Sequence, residues 1–185
     1  MFCFWISVTP SSCLTSALVA NLPNKVVIAF TAPVDGTGKS YVGTVDPSDN
    51  SISFGSAVNF QAGARASHVS SAFDSNSNKV AIFYEDNGNS NYGTGIVGTV
   101  SGTSISYGSE AVFESAQVSA ISATFDSSNN KVVIAYRDHG NSNYGTAVIG
   151  TISSTSISFG TPVVFESATT TGCSATFDTN SNKVF

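Results

Sequence analysis

The sequence predicts an all-β protein, a β-propeller-type array of four-stranded antiparallel blades in an incomplete ring, and three observations carry that expectation. A block of sequence recurs every 52 residues. Each block holds four short segments rich in Val, Ile, Tyr, Phe and Thr, separated by clusters of Asn, Ser, Gly and Asp; this is the pattern of short strands joined by turns. No segment carries a helical period of apolar residues.

The period is read directly from the chain. Aligned without a gap, Phe73 to Thr124 and Phe125 to Thr176 share 32 identities over 52 positions, and a further copy opens at Phe177 with FDTNSNKV. An earlier, degenerate copy begins near Ser16: SALVANLPNKVVIAF aligns with SATFDSSNNKVVIAY from Ser122, and VGTVDPSDNSISFGSAVNF repeats the second half with small insertions. These limits divide the chain into an N-terminal apolar segment over 1–15, a degenerate blade over 16–72, blades over 73–124 and 125–176, and the start of another over 177–185.

In the third unit the four segments are ISATF, KVVIAYR, GTAVIGTI and SISFGTPVVF. KVVIAY and TAVIGT are apolar on both faces, as expected of strands enclosed between neighbouring blades. SISFG alternates, as suits a half-exposed outer strand. The SSNN, DHGNSN and SST stretches are turn chemistry, because Asn and Gly tolerate positive φ. Four strands in about 50 residues match a propeller blade better than a solenoid rung. Ser16 to Phe185 amounts to roughly 3.3 such units, below the four to eight of a closed ring. Either the sequence is part of a longer array, the preferred reading, or copies self-associate to complete the ring. Phe185 aligns with Val133, two residues into an apolar strand whose edge needs a partner.

Composition narrows the function. Seven Lys and Arg against twelve Asp and Glu give a net charge of −5, with no basic cluster. Nucleic acid and anionic membranes are therefore disfavoured as partners, which leaves a glycan or a protein surface. Cys3, Cys13 and Cys173 are an odd set at the two ends of the chain. Their spacing fits neither a disulfide framework nor a metal site, and leaves room only for a chance bridge such as Cys3 or Cys13 to Cys173. The opening MFCFWISV is too short to span a bilayer, and a leader cut after Ala20 would place Leu18 at a position that wants a small residue.

The most distinctive polar segment is DNGNSNYGT, Asp86 to Thr94, repeated as DHGNSNYGT, Asp138 to Thr146. Asp86, Asn89, Asn91 and Tyr92, with Asp138, His139, Asn141, Asn143 and Tyr144, are the candidate ligand-binding residues. Planar amides and aromatic faces suit hydroxyl-rich ligands, and loops on rigid scaffolds concentrate binding. The structural alternative is that each Asp caps a turn and each Tyr packs between blades. Calcium fits poorly, because Gly88 and Gly140 stand third in the loop where an EF-hand has glycine sixth. Asp74, Asp126 and Asp178, each after a Phe, read as side-chain caps of hairpins, and Glu114 and Glu166 recur in FES as framework. His68 and His139 occupy non-equivalent places and support neither a zinc site nor a catalytic triad. No catalytic residue, metal or cofactor is therefore expected.

The D-x-G-x-S core of these loops loosely resembles the Asp-box of sialidase-type propellers, where the box forms a turn. Here the aromatic falls one place late, as Tyr92 and Tyr144, and the leading Ser is replaced by Tyr84 and Tyr136. The whole unit, over Ser16 to Phe185, resembles the near-identical propeller-type repeats of marine phage and environmental viral structural proteins, tail-fibre-like ones included. That resemblance implies a virion-associated or extracellular adhesion role. The expected function is a non-enzymatic scaffold presenting blade loops to a glycan or protein surface. The alternatives are a purely structural virion or extracellular repeat and, third, a glycosidase-like enzyme.

Overall fold

A computed structural model describes residues 15–19, as backbone, and 24–185. The first fourteen residues with Cys3 and Cys13, and the leader junction at Ala20, lie outside the described residues. Among those described there is no α-helix, and every strand pairing is antiparallel.

Three meanders follow one another. In the first, β1 (Thr15–Val19), β2 (Lys25–Thr31) and β3 (Gly38–Asp46) lie in order, and β4 (Ser51–Phe54) and β5 (Val58–Gln61) both pair with β3 as one strand broken in two. The second comprises β6 (Ala66–Asp74), β7 (Lys79–Asp86), β8 (Tyr92–Ser101), β9 (Ser104–Tyr107) and the first part of β10 (Ala111–Asp126). From Val118 onward β10 pairs instead with β11 (Lys131–Asp138) and so opens the third. β12 (Tyr144–Ser153), β13 (Ser156–Phe159) and β14 (Val163–Thr169) complete that meander, and a short hairpin of β15 (Phe177–Asp178) and β16 (Lys183–Val184) begins a further one. One unbroken strand thus serves two sheets. Phe73 and Phe125, where the sequence alignment begins its copies, fall inside β6 and β10; sequence identity reports the period but not the phase of the strands.

Turn chemistry accounts for the hairpins. Asp74 accepts the amides of Asn76 and Ser77 at 2.9 and 3.1 Å, Asp126 those of Ser128 and Asn129 at 2.9 and 3.1 Å, and Asp178 that of Asn180 at 2.8 Å. Each turn then closes through an Asn of positive φ: Asn78, Asn130 and Asn182, at 58°, 54° and 53°. Asn adopts that left-handed region at low cost because its short side chain bonds locally.

Two apolar slabs hold the meanders face to face. Val27, Ala29, Val42 and Phe60 of the first pack on Val80, Ile82, Tyr84, Ile96 and Ile105 of the second. Ala81, Phe83, Val97 and Phe113 of the second pack on Val132, Ile134, Tyr136, Val148 and Ile157 of the third. Side chains alternate across a strand, so β7 feeds both slabs and is buried from Val80 to Asp86. Its equivalent β11 is buried only at every second residue, because one of its faces lies outside the slab. The apolar-on-both-faces reading of this segment therefore holds for the middle repeat. Fully burying each such side chain contributes about 1.5–3 kcal/mol.

One aromatic contact repeats. Phe60 meets Tyr84 and Tyr107 with ring centroids 5.2 and 6.2 Å apart, and Phe113 meets Tyr136 and Phe159 at 5.1 and 5.7 Å. The two tyrosines at the second-strand position keep their hydroxyls satisfied: Tyr84 donates to Glu110 at 2.8 Å and Tyr136 to Glu114 at 3.0 Å. Burial, then these carboxylates, pushes both phenols far above their ordinary range. The first strand of each repeat also touches the start of the next, Ser70 Oγ accepting from the Ala123 amide of β10 at 3.0 Å and Ser122 Oγ from that of Ala175, just ahead of β15, at 2.9 Å.

Candidate recognition site

The loops singled out by their identity turn their aspartates inward. Asp86 is buried; its carboxylate accepts the Gly88 amide at 2.9 Å and the Gln61 side-chain amide at 3.2 Å, and its carbonyl accepts from Asn89 and Asn91 at 3.1 and 2.9 Å. Asp138, also buried, accepts from Gly140 and Asn141 at 2.8 and 3.1 Å and caps a single 3-10 turn, His139–Asn141. Ser90 and Asn91, then Ser142 and Asn143, return the chain at positive φ. The Asn91 side-chain oxygen accepts from Asn87 at 2.6 Å, and that of Asn143 from Arg137 at 3.1 Å. Asn89 and Asn141 stand exposed at the tips, and Tyr92 and Tyr144 are half-buried where β8 and β12 begin. Most of the identical residues thus hold the loop's shape.

A second set, of which the sequence put forward only His139, consists of positions where the repeats differ. Ala66 pairs with Asp86 and Val118 with Asp138, so β6 and β10 reach the loop end of their sheets at these points. Just beyond, each strand bulges, its register slipping between Ser67 and Ser70 and between Ser119 and Ser122. The bulges hold His68 at φ 51° and Ala120 at φ 50°, a region that resists side chains with a Cβ. Around them the copies exchange Arg65 for Gln117, His68 for Ala120, Glu85 for Arg137 and Asn87 for His139.

These exchanged residues interlock across the junction of the second and third repeats. Gln117 donates to Glu85 Oε1 at 3.1 Å. The Ala120 amide donates to His68 Nδ1 at 3.4 Å, which places the ring proton on Nε2, 3.8 Å from Glu85 Oε2. Ser67 donates to Asn87 at 2.9 Å, and its counterpart Ser119 lies 2.8 Å from His139 Nε2. Arg65 Nε donates to Ser67 at 3.2 Å.

Burial raises the Glu85 carboxyl above its ordinary value, and this outweighs the bond from Gln117 and the nearby His139 and Arg65. Burial also lowers both imidazoles, assisted by Arg65 at His68 and by Arg137 at His139, so both rings are largely neutral at pH 7. Among the described residues no three His, Cys, Asp or Glu side chains are placed to hold a metal ion. What the junction offers is a carboxylate, two imidazoles, primary amides, hydroxyls and guanidinium groups, which together accept from and donate to hydroxyls in several directions.

The raised Glu85 value sets a pH test. A carboxyl whose folded pKa exceeds its unfolded one makes folding less favourable as pH rises between the two values. Glu85→Gln keeps the Gln117 contact and removes the buried charge. It is expected to melt higher than the parent at pH 7, with the gap narrowing as pH falls through the raised Glu85 value and absent below about 4.5. A gap that is constant with pH would show that the buried charge carries no cost.

Comparison of the chain with protein-family models, with curated proteins and with solved structures gives no match, so its function is read from its own residues.

Proposed function

We propose that the chain is a non-enzymatic recognition scaffold, a propeller-type array of four-stranded blades that presents the loop end of its sheets to a glycan. The observation that carries this reading is the division of labour between identical and exchanged residues. Asp86, Gly88, Asp138 and Gly140 fix the loop backbones, whereas Arg65, His68, Glu85, Asn87, Gln117 and His139 vary the polar groups beside them. Copies that conserve a frame and change the chemistry at one end behave as a binding face on a rigid support. The blade reading rests on the four-strand meanders, on the slabs between them, and on the first strands lying side by side through Ser70 and Ser122. A virion-associated or extracellular setting follows from the likeness of the repeats to viral ones.

A purely structural array is the second reading, favoured by the inward aspartates, and a glycan array separates the two. The intact chain is expected to bind a subset of saccharides. His68→Ala and Gln117→Ala should each weaken that binding by about tenfold, or ~1.4 kcal/mol, and Tyr92→Ala and Tyr144→Ala, where the loops enter β8 and β12, should weaken it as well. An array without binding overturns the proposal in favour of the structural reading.

A further inference from the structure

We propose that the faces of successive repeats carry a matching code, a buried pair of hydroxyls at one junction and bare rings at the other, by which each repeat accepts its own neighbour. The second and third repeats share 32 identities over 52 positions, and units this alike are prone to pair out of order as they fold. Both junctions are enclosed on their two sides by the chain itself. The residues in which they differ therefore report what distinguishes one pairing from the other.

Three positions change together. Ala29 and Ser40 are cross-strand partners in the first repeat, where Phe83 and Gly95 are partners in the second. The ring that meets them from the next repeat is Tyr107 of SISY in the first case and Phe159 of SISF in the second. Ser40 is fully buried. Its Oγ donates to the Val58 carbonyl of its own repeat at 3.3 Å and lies 2.6 Å from the Tyr107 hydroxyl across the junction. A serine hydroxyl has one proton, which Val58 takes, so Tyr107 is the donor to Ser40. At the second junction neither partner has a hydroxyl. The tip of the Phe159 ring stands 3.0 Å from where a Cβ on Gly95 would lie, as does the edge of Phe83. Phe83 and Phe159 meet edge-on with centroids 6.4 Å apart. The large ring at Phe83 takes up the room that Ala29 leaves for Ser40 and the phenol.

Ala29, Ser40 and Tyr107 thus form a small, hydrogen-bonded set, and Phe83, Gly95 and Phe159 a bare aromatic one. Crossing them is unfavourable in both directions. A phenyl ring against Ser40 removes the donor from a buried oxygen and leaves the space beside Ala29 unfilled. A phenol against Phe83 and Gly95 buries its hydroxyl among groups that offer no side-chain acceptor. Either mismatch is expected to lower the folding equilibrium constant about tenfold or more, and discrimination between neighbours is that difference. The order so fixed decides which polar groups meet at the loop end, where Gln117 reaches Glu85 and the Ala120 amide reaches His68. The code itself uses none of those groups and stands or falls apart from ligand recognition.

Urea unfolding of the full chain tests it. Exchanging the two rings, Tyr107→Phe together with Phe159→Tyr, keeps the composition and the number of hydroxyls, so any loss reports the matching alone. The expected result is a fall of about a hundredfold in the folding equilibrium constant, roughly tenfold from each junction. Ser40→Gly with Tyr107→Phe should cost about tenfold less than the two single substitutions multiplied together, since the second removes a group the first has already left without a partner. A ring-exchanged chain as stable as the parent overturns the proposal, and so do independent effects at Ser40 and Tyr107. If the exchanged chain does not fold, the Ser40 and Tyr107 comparison alone decides.

Discussion

Phe113→Ala is expected to destabilise the fold by about 3–5 kcal/mol, the range for deleting a buried aromatic ring. The same substitution one repeat later, Phe165→Ala, should cost no more than about 0.5 kcal/mol. The two residues share a sequence context, yet Phe113 is 5% exposed and Phe165 57%. Phe113 touches Phe83, Tyr136 and Phe159, and its ring presses on Gly93, where an added Cβ would lie 2.5 Å away. Truncation leaves a hole lined by residues of two repeats that cannot close without moving both sheets. In a chain of this size the loss corresponds to a fall in melting temperature of roughly 6–20 °C. Equal effects at the two positions would show that the slab between the second and third repeats is not what stabilises Phe113.

The second large effect falls on a glycine of ordinary φ. Gly108→Ala would bring a methyl to 1.9 Å from the Thr155 carbonyl oxygen. The obstructing atom belongs to the backbone of the next repeat and cannot turn aside as a flexible side chain would. The sheets must part, at a cost of about 3 kcal/mol or more, the upper end of what overpacking produces. Gly160→Ala, in the same SISFG or SISYG context, meets only the Ile149 carbonyl oxygen at an ordinary 3.8 Å and should change stability by less than about 0.5 kcal/mol. Urea unfolding of the pair reads the difference directly, and a harmless Gly108→Ala would contradict the close approach of these strands.

The strands and turns were legible in the sequence because their causes are local. Asp74, Asp126 and Asp178 cap their hairpins with bonds that span two or three residues, and the apolar runs of β7 and β11 stand out without reference to anything distant. The difference in burial between those two strands was not legible, since it depends on whether a neighbouring sheet covers each face. The candidate site was half legible. Identity between copies drew attention to Asp86 and Asp138, but identity at such positions reflects what the backbone demands. The groups left to meet a ligand gather through a one-residue bulge at His68 and through contacts between repeats, Gln117 to Glu85 and Ala120 to His68. Neither leaves a local mark. The available signal was the list of polar exchanges between equivalent positions, Glu85 with Arg137 and Asn87 with His139 above all.

The passage of β10 from one sheet into the next has a consequence for how the molecule comes apart. Its sixteen residues bond to β8 on one side of Val118 and to β11 on the other, so unzipping either neighbour loosens the spine of both. The second and third repeats therefore open as one cooperative body. Between Gln61 and Ala66 no strand is shared, and Gly63 sits at φ 101° in open space. That seam is the line along which the first repeat can detach while the remainder stays folded.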